Sequence, residues 1–409
     1  MSTHILLVGA PLSLNFGGPS MFLSVRKVLS EVFPGATFSL MSKPQDWDAE
    51  RRLAERYGVD LLPVSFVSPK AVVWGALRRF ARLLPRREDL RAAVQAVERA
   101  DIIVDIWGIW FADTLGSNAF YDRLIGDGLH MVLGKTMGKP VVKFTADLGP
   151  FNEFWNRFFA RLYLKRFFDL VFARDQVSYD SAKALGVRTP MRCVPDTAFL
   201  LDPAESDQSR RLALVRREHP IVGISVSRQA YNRAPSCEGY IEATASLARR
   251  AIETGAHVVL LPNELHFNRA DQDDEGIAKT IEEQVRDGHC ETMVTREMPG
   301  EEIKGVIAQF DATVAARYHS IIAALSLGVP VLAIGWHHKY EGVLSRFGLT
   351  ERLCTVTELS TGELVGKFDR LWAGREGIAA EIARRLPGIK EEIRQAAAAV
   401  RTLLPARNG

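Results

Sequence analysis

Short apolar runs alternate with helix-length segments along this chain, and the alternation restarts once. The runs HILLVGA at 4–10, TFSLM at 37–41, DIIVDI at 101–106, PVVKFT at 140–145 and DLVFA at 169–173 are too short for helices. They are also too evenly apolar for strands with one wet face. Parallel strands buried on both faces read this way. Further strands are read at 60–67 and near 191–194, with helices over 20–32, 46–58, 88–99, 118–134, 151–166 and 175–185. A polar stretch, LDPAESDQSRRLALVRRE at 201–218, looks like the seam between domains. Beyond it strands are expected at 220–226, 257–261, 291–295, 311–316 and 329–334, with helices over 238–254, 275–287, 301–309 and 320–327. Such alternation folds as a doubly wound parallel sheet. The expectation is an α/β protein with one Rossmann-like domain over 1–203 and a second over 217–375. A helical tail over 376–409 is expected to pack back on the first. Ligands of such sheets sit beyond the carboxyl ends of the strands, so two of them in tandem imply an interdomain cleft.

At 409 residues the chain has the length for two such domains. Lysine and arginine number 52 against 49 acids, a net charge of +3, too small an excess to argue for nucleic acid. The cysteines Cys193, Cys237, Cys290 and Cys354 are far apart and form no C-x-x-C pair, so neither a disulfide framework nor a zinc knuckle is expected. No apolar run approaches a membrane span, and the opening MSTHILLVGAP lacks the basic n-region of a signal peptide. A soluble, cytoplasmic protein is expected.

The residues directly after each strand are the ones to inspect. Arg317-Tyr318-His319-Ser320 joins strand 311–316 to the next helix. A helix N-terminus attracts anions, an arginine clamps phosphate or carboxylate, and an imidazole moves protons near neutral pH. The plainer alternative is a surface arginine and a histidine that satisfies a buried carbonyl; position favours the functional reading. Lys339, in Gly335-Trp336-His337-His338-Lys339, is a further cation, as are Arg174 after strand 169–173 and Arg228 after strand 220–226. Together these four predict a cationic cleft for an anionic substrate. His337 and His338, side by side on an extended segment, should point to opposite sides, and no metal site is expected. Asp175 is read as a helix cap, Asp196 as structural, and Asn15 as a substrate contact or a turn residue. Asp113 is read as a base, a substrate contact or a cap. Asn15-Phe16-Gly17-Gly18 lacks the GxGxxG spacing of a dinucleotide site. The stretch 74–91 carries Arg78, Arg79, Arg82, Arg86, Arg87 and Arg91 among apolar residues. A solvated helix is the preferred reading, with peripheral contact to an anionic membrane as the other.

The block VAARYHSIIAALSLGVPVLAIGWHHKYEGVLSRFG at 314–348 resembles the polysaccharide pyruvyl transferase family. Arg317, His319, Gly328, Pro330 and Lys339 match its Arg-x-His, Gly-x-Pro and following lysine. Phe172-Ala173-Arg174-Asp175, the segment 194–201 and Asn15-Phe16-Gly17-Gly18 are similar in a weaker way. The resemblance implies two facing Rossmann-like domains of the GT-B type, acceptor side first and donor side second. It implies transfer of the pyruvyl group of phosphoenolpyruvate to two hydroxyls of a sugar or lipid-linked oligosaccharide, with release of phosphate and no further cofactor. His319 would be catalytic, with Asp113 as a candidate base. Arg317, Arg174, Lys339 and Arg228 would bind the donor; Asn15 and Trp107 would face the acceptor. The chain departs from the family at Gly18, where an aspartate is usual, and at Trp107-Gly108-Ile109, where three glycines are usual. A nucleotide-sugar glycosyltransferase is the nearest rival. Such enzymes often carry a glutamate five residues before the glycine of Gly-x-Pro, where this chain has Ala323. A degenerate, non-catalytic glycan-binding member is the other alternative.

Overall fold

All strand pairings in the sheets are parallel among the described residues, which suits strands that are apolar on both faces and joined by crossover helices. The computed structural model describes residues 2–13, 15–44, 46–64, 67–111, 113, 128–264, 273–296 and 298–405. It divides into two compact units. The first comprises Met1–Ser13, Met21–Thr197 and Glu391–Gly409; the second comprises Leu14–Ser20 and Ala198–Lys390.

The first unit holds β1 (His4–Val8), β2 (Thr37–Met41), β3 (Asp60–Leu61), β4 (Ile102–Asp105), β5 (Ile109–Trp110), β6 (Val141–Leu148), β7 (Leu170–Ala173) and β8 (Met191–Cys193). Their order is β3-β2-β1-β4-β6-β7-β8, with β5 beside β6. The second unit holds β9 (Ile221–Ser225), β10 (His257–Leu260), β11 (Cys290–Thr292), β12 (Ala312–Ala315), β13 (Val331–Gly335) and β14 (Leu353–Thr355). Their order, β11-β10-β9-β12-β13-β14, is the Rossmann arrangement. In each sheet the strand order reverses beside the first strand, between β1 and β4 and between β9 and β12. That reversal opens a crevice at the carboxyl ends.

Helices start where short polar side chains accept the first backbone N–H groups. Asp46 caps Trp47–Tyr57, Ser68 caps Pro69–Ala81 and Asp175 caps Gln176–Ala184. The polar stretch 201–218 contains a helix, Asp207–Val215, closed by a Ser206–Ser209 capping box and anchored by the buried Leu212. It belongs to the second unit, and the chain passes between units at Thr197–Ala198. The strand read at 60–67 shrinks to Asp60–Leu61, with Pro63 just beyond. Most of the helix read at 118–134 lies outside the described residues; the described helix there is Leu129–Thr136.

Candidate active site

Ser225 and Ala315, the last residues of β9 and β12, stand opposite each other at the reversal point of the second sheet. The chain leaves β12 through Ala316 and Arg317 into the helix Tyr318–Ser326, whose first turn has no side-chain cap. Ser320, in that turn, accepts from Ser225 Oγ at 3.0 Å, and Asn263 Nδ2 donates to Ser225 Oγ at 2.5 Å. His319 is half-buried on the same turn. Its imidazole lies close against Gly17, where an added β-carbon would sit 2.4 Å from Nδ1 and 2.5 Å from Cε1. Gly17 opens the helix Gly17–Val32 and belongs to the segment Leu14–Ser20, which sorts with the second unit. The helix entry is tied down by Phe16 N donating to Asn263 O at 3.2 Å and by an antiparallel bridge between Asn15 and Glu264. Asn15 Oδ1 accepts from Gly18 N at 3.0 Å, so its side chain holds the first turn of that helix.

Arg317 lies beside His319 but is engaged by the protein itself. Its Nε and Nη2 meet the two oxygens of Asp274, and Nη1 pairs with Glu264. Burial alone would lower the pKa of this guanidinium; Asp274 and then Glu264 outweigh it and hold the pKa above the usual arginine range. Asp274 is fully buried and also accepts from the backbone N–H groups of Arg228 at 2.8 Å, Asn263 at 3.3 Å and Glu264 at 3.0 Å. This carboxylate gathers three strand-end loops. Nothing in its sequence setting, a run of acids before a helix, sets it apart from a surface residue.

Lys339 is 7% exposed, with Nζ at 5.0 Å from the ring centre of Tyr318, 5.4 Å from Trp336 and 5.8 Å from Tyr340. Tyr340 is fixed in turn by its hydroxyl, which donates to Ala316 O at 3.0 Å. Tyr318 also meets His319 edge-on, ring centres 5.5 Å apart. Arg233 also meets this aromatic group, its guanidinium 4.3 Å from the Trp336 ring centre. Arg228 lies 4.8 Å from the Tyr231 ring centre and donates to Asp273 O from Nε and Nη2, both at 3.3 Å. Among the described residues no carboxylate pairs with the side chain of Arg228 or Arg233. Arg233 follows the short helix Arg228–Tyr231 and no strand directly, so its place in the sequence does not set it apart. The rings of His337 and His338 lie 4.0 Å apart instead of pointing to opposite sides. His337 is the extended N-cap and His338 the first helical residue of His338–Ser345, and the chain turns between them.

In the first unit, Arg174 is 3% exposed and clipped on every side. Nη1 meets Asp147 Oδ2 at 3.0 Å, Nε meets Asp196 Oδ2 at 3.0 Å, and Nη2 donates to Thr145 O at 3.2 Å. Asp113 accepts from Asn152 N at 2.8 Å and from Asn156 Nδ2 at 2.5 Å. It thereby holds the turn into the helix Phe154–Arg166. At the reversal point of this sheet, Asp105 ends β4 and receives Lys143 Nζ at 2.7 Å, His130 Nε2 at 3.1 Å and Trp107 N at 2.9 Å. Lys143 Nζ also donates to Trp107 O at 2.7 Å. Lys143 is fully buried, and the indole of Trp107 is 37% exposed. Burial pushes the Asp105 carboxyl up, but Lys143 and then His130 pull it down to about 2.

The polysaccharide pyruvyl transferase family matches residues 15–338, a span that includes Gly17, Arg174, Arg317 and His319. The amylovoran biosynthesis protein AmsJ of Erwinia amylovora is 25% identical over 314 residues, covering 75% of this chain and 73% of that protein. Among solved structures, Anabaena Alr3699/HepE in complex with UDP superposes with a TM-score of 0.59 at 13% identity, over 97% of this chain and all of that one. The UDP-GlcNAc 2-epimerase of Neisseria meningitidis does so at 0.58 and 12% identity, over 98% of this chain and all of that one. Likeness at such low identity speaks to the fold, which is the pair of parallel-sheet α/β domains found in GT-B glycosyltransferases and epimerases. The match over most of its length places this chain in the polysaccharide pyruvyl transferase family.

Proposed function

We propose that this protein transfers the pyruvyl group of phosphoenolpyruvate to two hydroxyls of a sugar, forming a cyclic ketal and releasing phosphate. A sugar unit of a glycan or of a lipid-linked precursor is the acceptor. One arrangement carries the reading: His319 pressed on the backbone of Gly17, in the same unit as Lys339 within its aromatic ring and the carboxylate-free Arg228 and Arg233. A donor with a phosphate and a carboxylate calls for cations, and Arg228 and Arg233 have no carboxylate partner among the described residues. The buried indole Nε1 of Trp336 has no acceptor among the described residues and adds a donor beside Arg233.

In this mechanism protonated His319 gives a proton to the methylene carbon of phosphoenolpyruvate, which becomes a methyl group, and positive charge develops at the neighbouring carbon. One sugar hydroxyl bonds to that carbon and gives up its proton. The carbon–oxygen bond to phosphate then breaks, and the second hydroxyl closes the ring. Two hydroxyl protons leave in all: one restores His319 and one departs with the phosphate. Arg317 and Arg174, each held by carboxylates, act as positioning residues in this reading. Asp113 is a helix-holding group and has no assigned step.

The test is acceptor-dependent phosphate release from phosphoenolpyruvate across a panel of sugars, with the ketal identified by mass. The expected result is one phosphate per ketal, falling about 10²- to 10⁴-fold in His319→Ala with an unchanged melting temperature. No release with any acceptor, combined with turnover of a nucleotide sugar, would sink the proposal.

A further inference from the structure

Twelve large apolar side chains stand exposed among the described residues, and eight of them lie on or just past two helices of the first unit. On Phe154–Arg166 they are Phe154 at 71%, Trp155 at 43%, Phe158 at 49% and Leu162 at 38% exposure. The spacing of 154, 158 and 162 puts them in one stripe along the helix. The opposite face is ordinary core, with Phe159, Tyr163 and Leu164 buried. Four cations share the outer side: Arg157, Arg161, Lys165 and Arg166, all exposed. The helix contains no acid, Glu153 at its N-cap being the nearest in sequence. Arg161, Lys165 and Arg166 have no carboxylate partner among the described residues.

The second stripe lies on Pro69–Ala81 and just beyond it, where Val73 is 61%, Phe80 78% and Leu83 52% exposed. Arg79, Arg82 and Arg86 stand exposed beside it. Both helices pack on Leu129–Thr136 or the residue before it. A β-carbon at Gly75 would lie 2.3 Å from Leu133 Cδ1, and one at Gly128 would lie 2.2 Å from the Tyr163 ring. The two exposed stripes therefore belong to one helical layer of one unit.

We infer that this layer docks on an anionic lipid surface, with the aromatic stripe in the headgroup region and the cations on lipid phosphates. Aromatic residues beside lysine and arginine on one helix face are the composition of interfacial helices. Charge complementarity selects the occupant. A second copy bound symmetrically would set these cations against their own equivalents, whereas anionic lipid neutralises them. No helix among the described residues is long and apolar enough to cross a membrane, so the contact is peripheral.

The experiment is co-sedimentation of the full chain with vesicles of phosphatidylcholine mixed with phosphatidylglycerol, against phosphatidylcholine alone. Binding is expected only to the mixed vesicles, weakened by salt and accompanied by a blue shift in tryptophan emission. F154S/W155S/F158S and R161E/K165E/R166E should each weaken it by about tenfold or more with the melting temperature kept. W155F keeps the ring nearly intact for folding and should remove most of the emission shift. Wild-type protein left in the supernatant, or triple variants that bind like wild type, would overturn the inference. So would variants that convert a dimer to a monomer when the wild type binds no vesicle. The assay reads no catalytic step, so its failure would leave the proposed pyruvyl transfer untouched.

Discussion

The two sheets reverse their strand order in the same way but fill the resulting crevices differently. At the first, Asp105, Lys143 and His130 form a closed cluster in which every charge meets a partner from the protein. At the second, Arg233 meets the face of Trp336 with no carboxylate partner among the described residues, and His319 rests on a glycine backbone. A carboxylate partner neutralises a cation and lowers its value to an incoming anion. An aromatic face orients a cation and leaves its charge in place. The same topology thus yields a charge-paired clasp in one unit and cations set against aromatic rings in the other. The two arginines in family-like motifs, Arg174 and Arg317, follow the first pattern in both units.

The sharpest way to break this contrast is Asp105→Asn. It would leave Lys143 buried without its counter-charge, at a cost of about 3–5 kcal/mol. In a unit of this size the melting temperature should fall by roughly 10 °C. Calorimetry checks it, and an unchanged transition would mean that the cluster does not hold the first unit together.

Gly17→Ala probes the second crevice by geometry alone. Gly17 is absent from the positive-φ glycines, so alanine suits its backbone. The new β-carbon would nonetheless require the His319 ring to move, since it would lie 2.4 Å from Nδ1. Catalytic turnover should fall by about 10²-fold, because small displacements of a catalytic group are costly, while the melting temperature changes little. Wild-type turnover in this variant would show that the seat on Gly17 does not position the imidazole.

The sheets were legible in the sequence because buried parallel strands leave unbroken apolar runs; β14, three residues long with only Cys354 buried, leaves no such run. The turn holding Arg317 and His319 was legible because it sits between a clear strand and a clear helix. Two things were not. The carboxylate that engages Arg317 lies 43 residues earlier in the chain, and a post-strand arginine reads the same with or without such a partner. The seat of His319 on Gly17 joins residues about three hundred positions apart, and spacing within either segment says nothing of that meeting.

Acid should separate the two crevices more gently. The folded Asp105 carboxyl is held at about 2, below its unfolded value of 3.8. Its stabilisation is therefore complete above the unfolded pKa and is lost as pH falls from about 4 through 2. The shift corresponds to about 2 kcal/mol for this one fully buried group. Melting temperatures measured across that window should drop in the wild type, and the drop should be shallower in Asp105→Asn. Parallel curves would assign the acid sensitivity to other carboxylates.

The smallest effect tests the idea that only an unneutralised cation serves the donor. Arg233→Ala removes a guanidinium bonded within the protein to Gln229 and stacked on Trp336, with no carboxylate left behind. Stability should stay within about 1 kcal/mol, while the KM for phosphoenolpyruvate rises about tenfold with the loss of one charge-assisted contact. Arg174→Ala should do the reverse. It strands Asp147 and Asp196, both buried, so the melting temperature falls first and any change in KM is secondary. Arg233→Lys keeps the charge but forfeits the planar stack, and should fall between wild type and alanine in KM. If Arg233→Ala instead destabilises the protein and leaves KM unchanged, the aromatic-backed cations are structural as well, and the difference between the two crevices is one of partners alone.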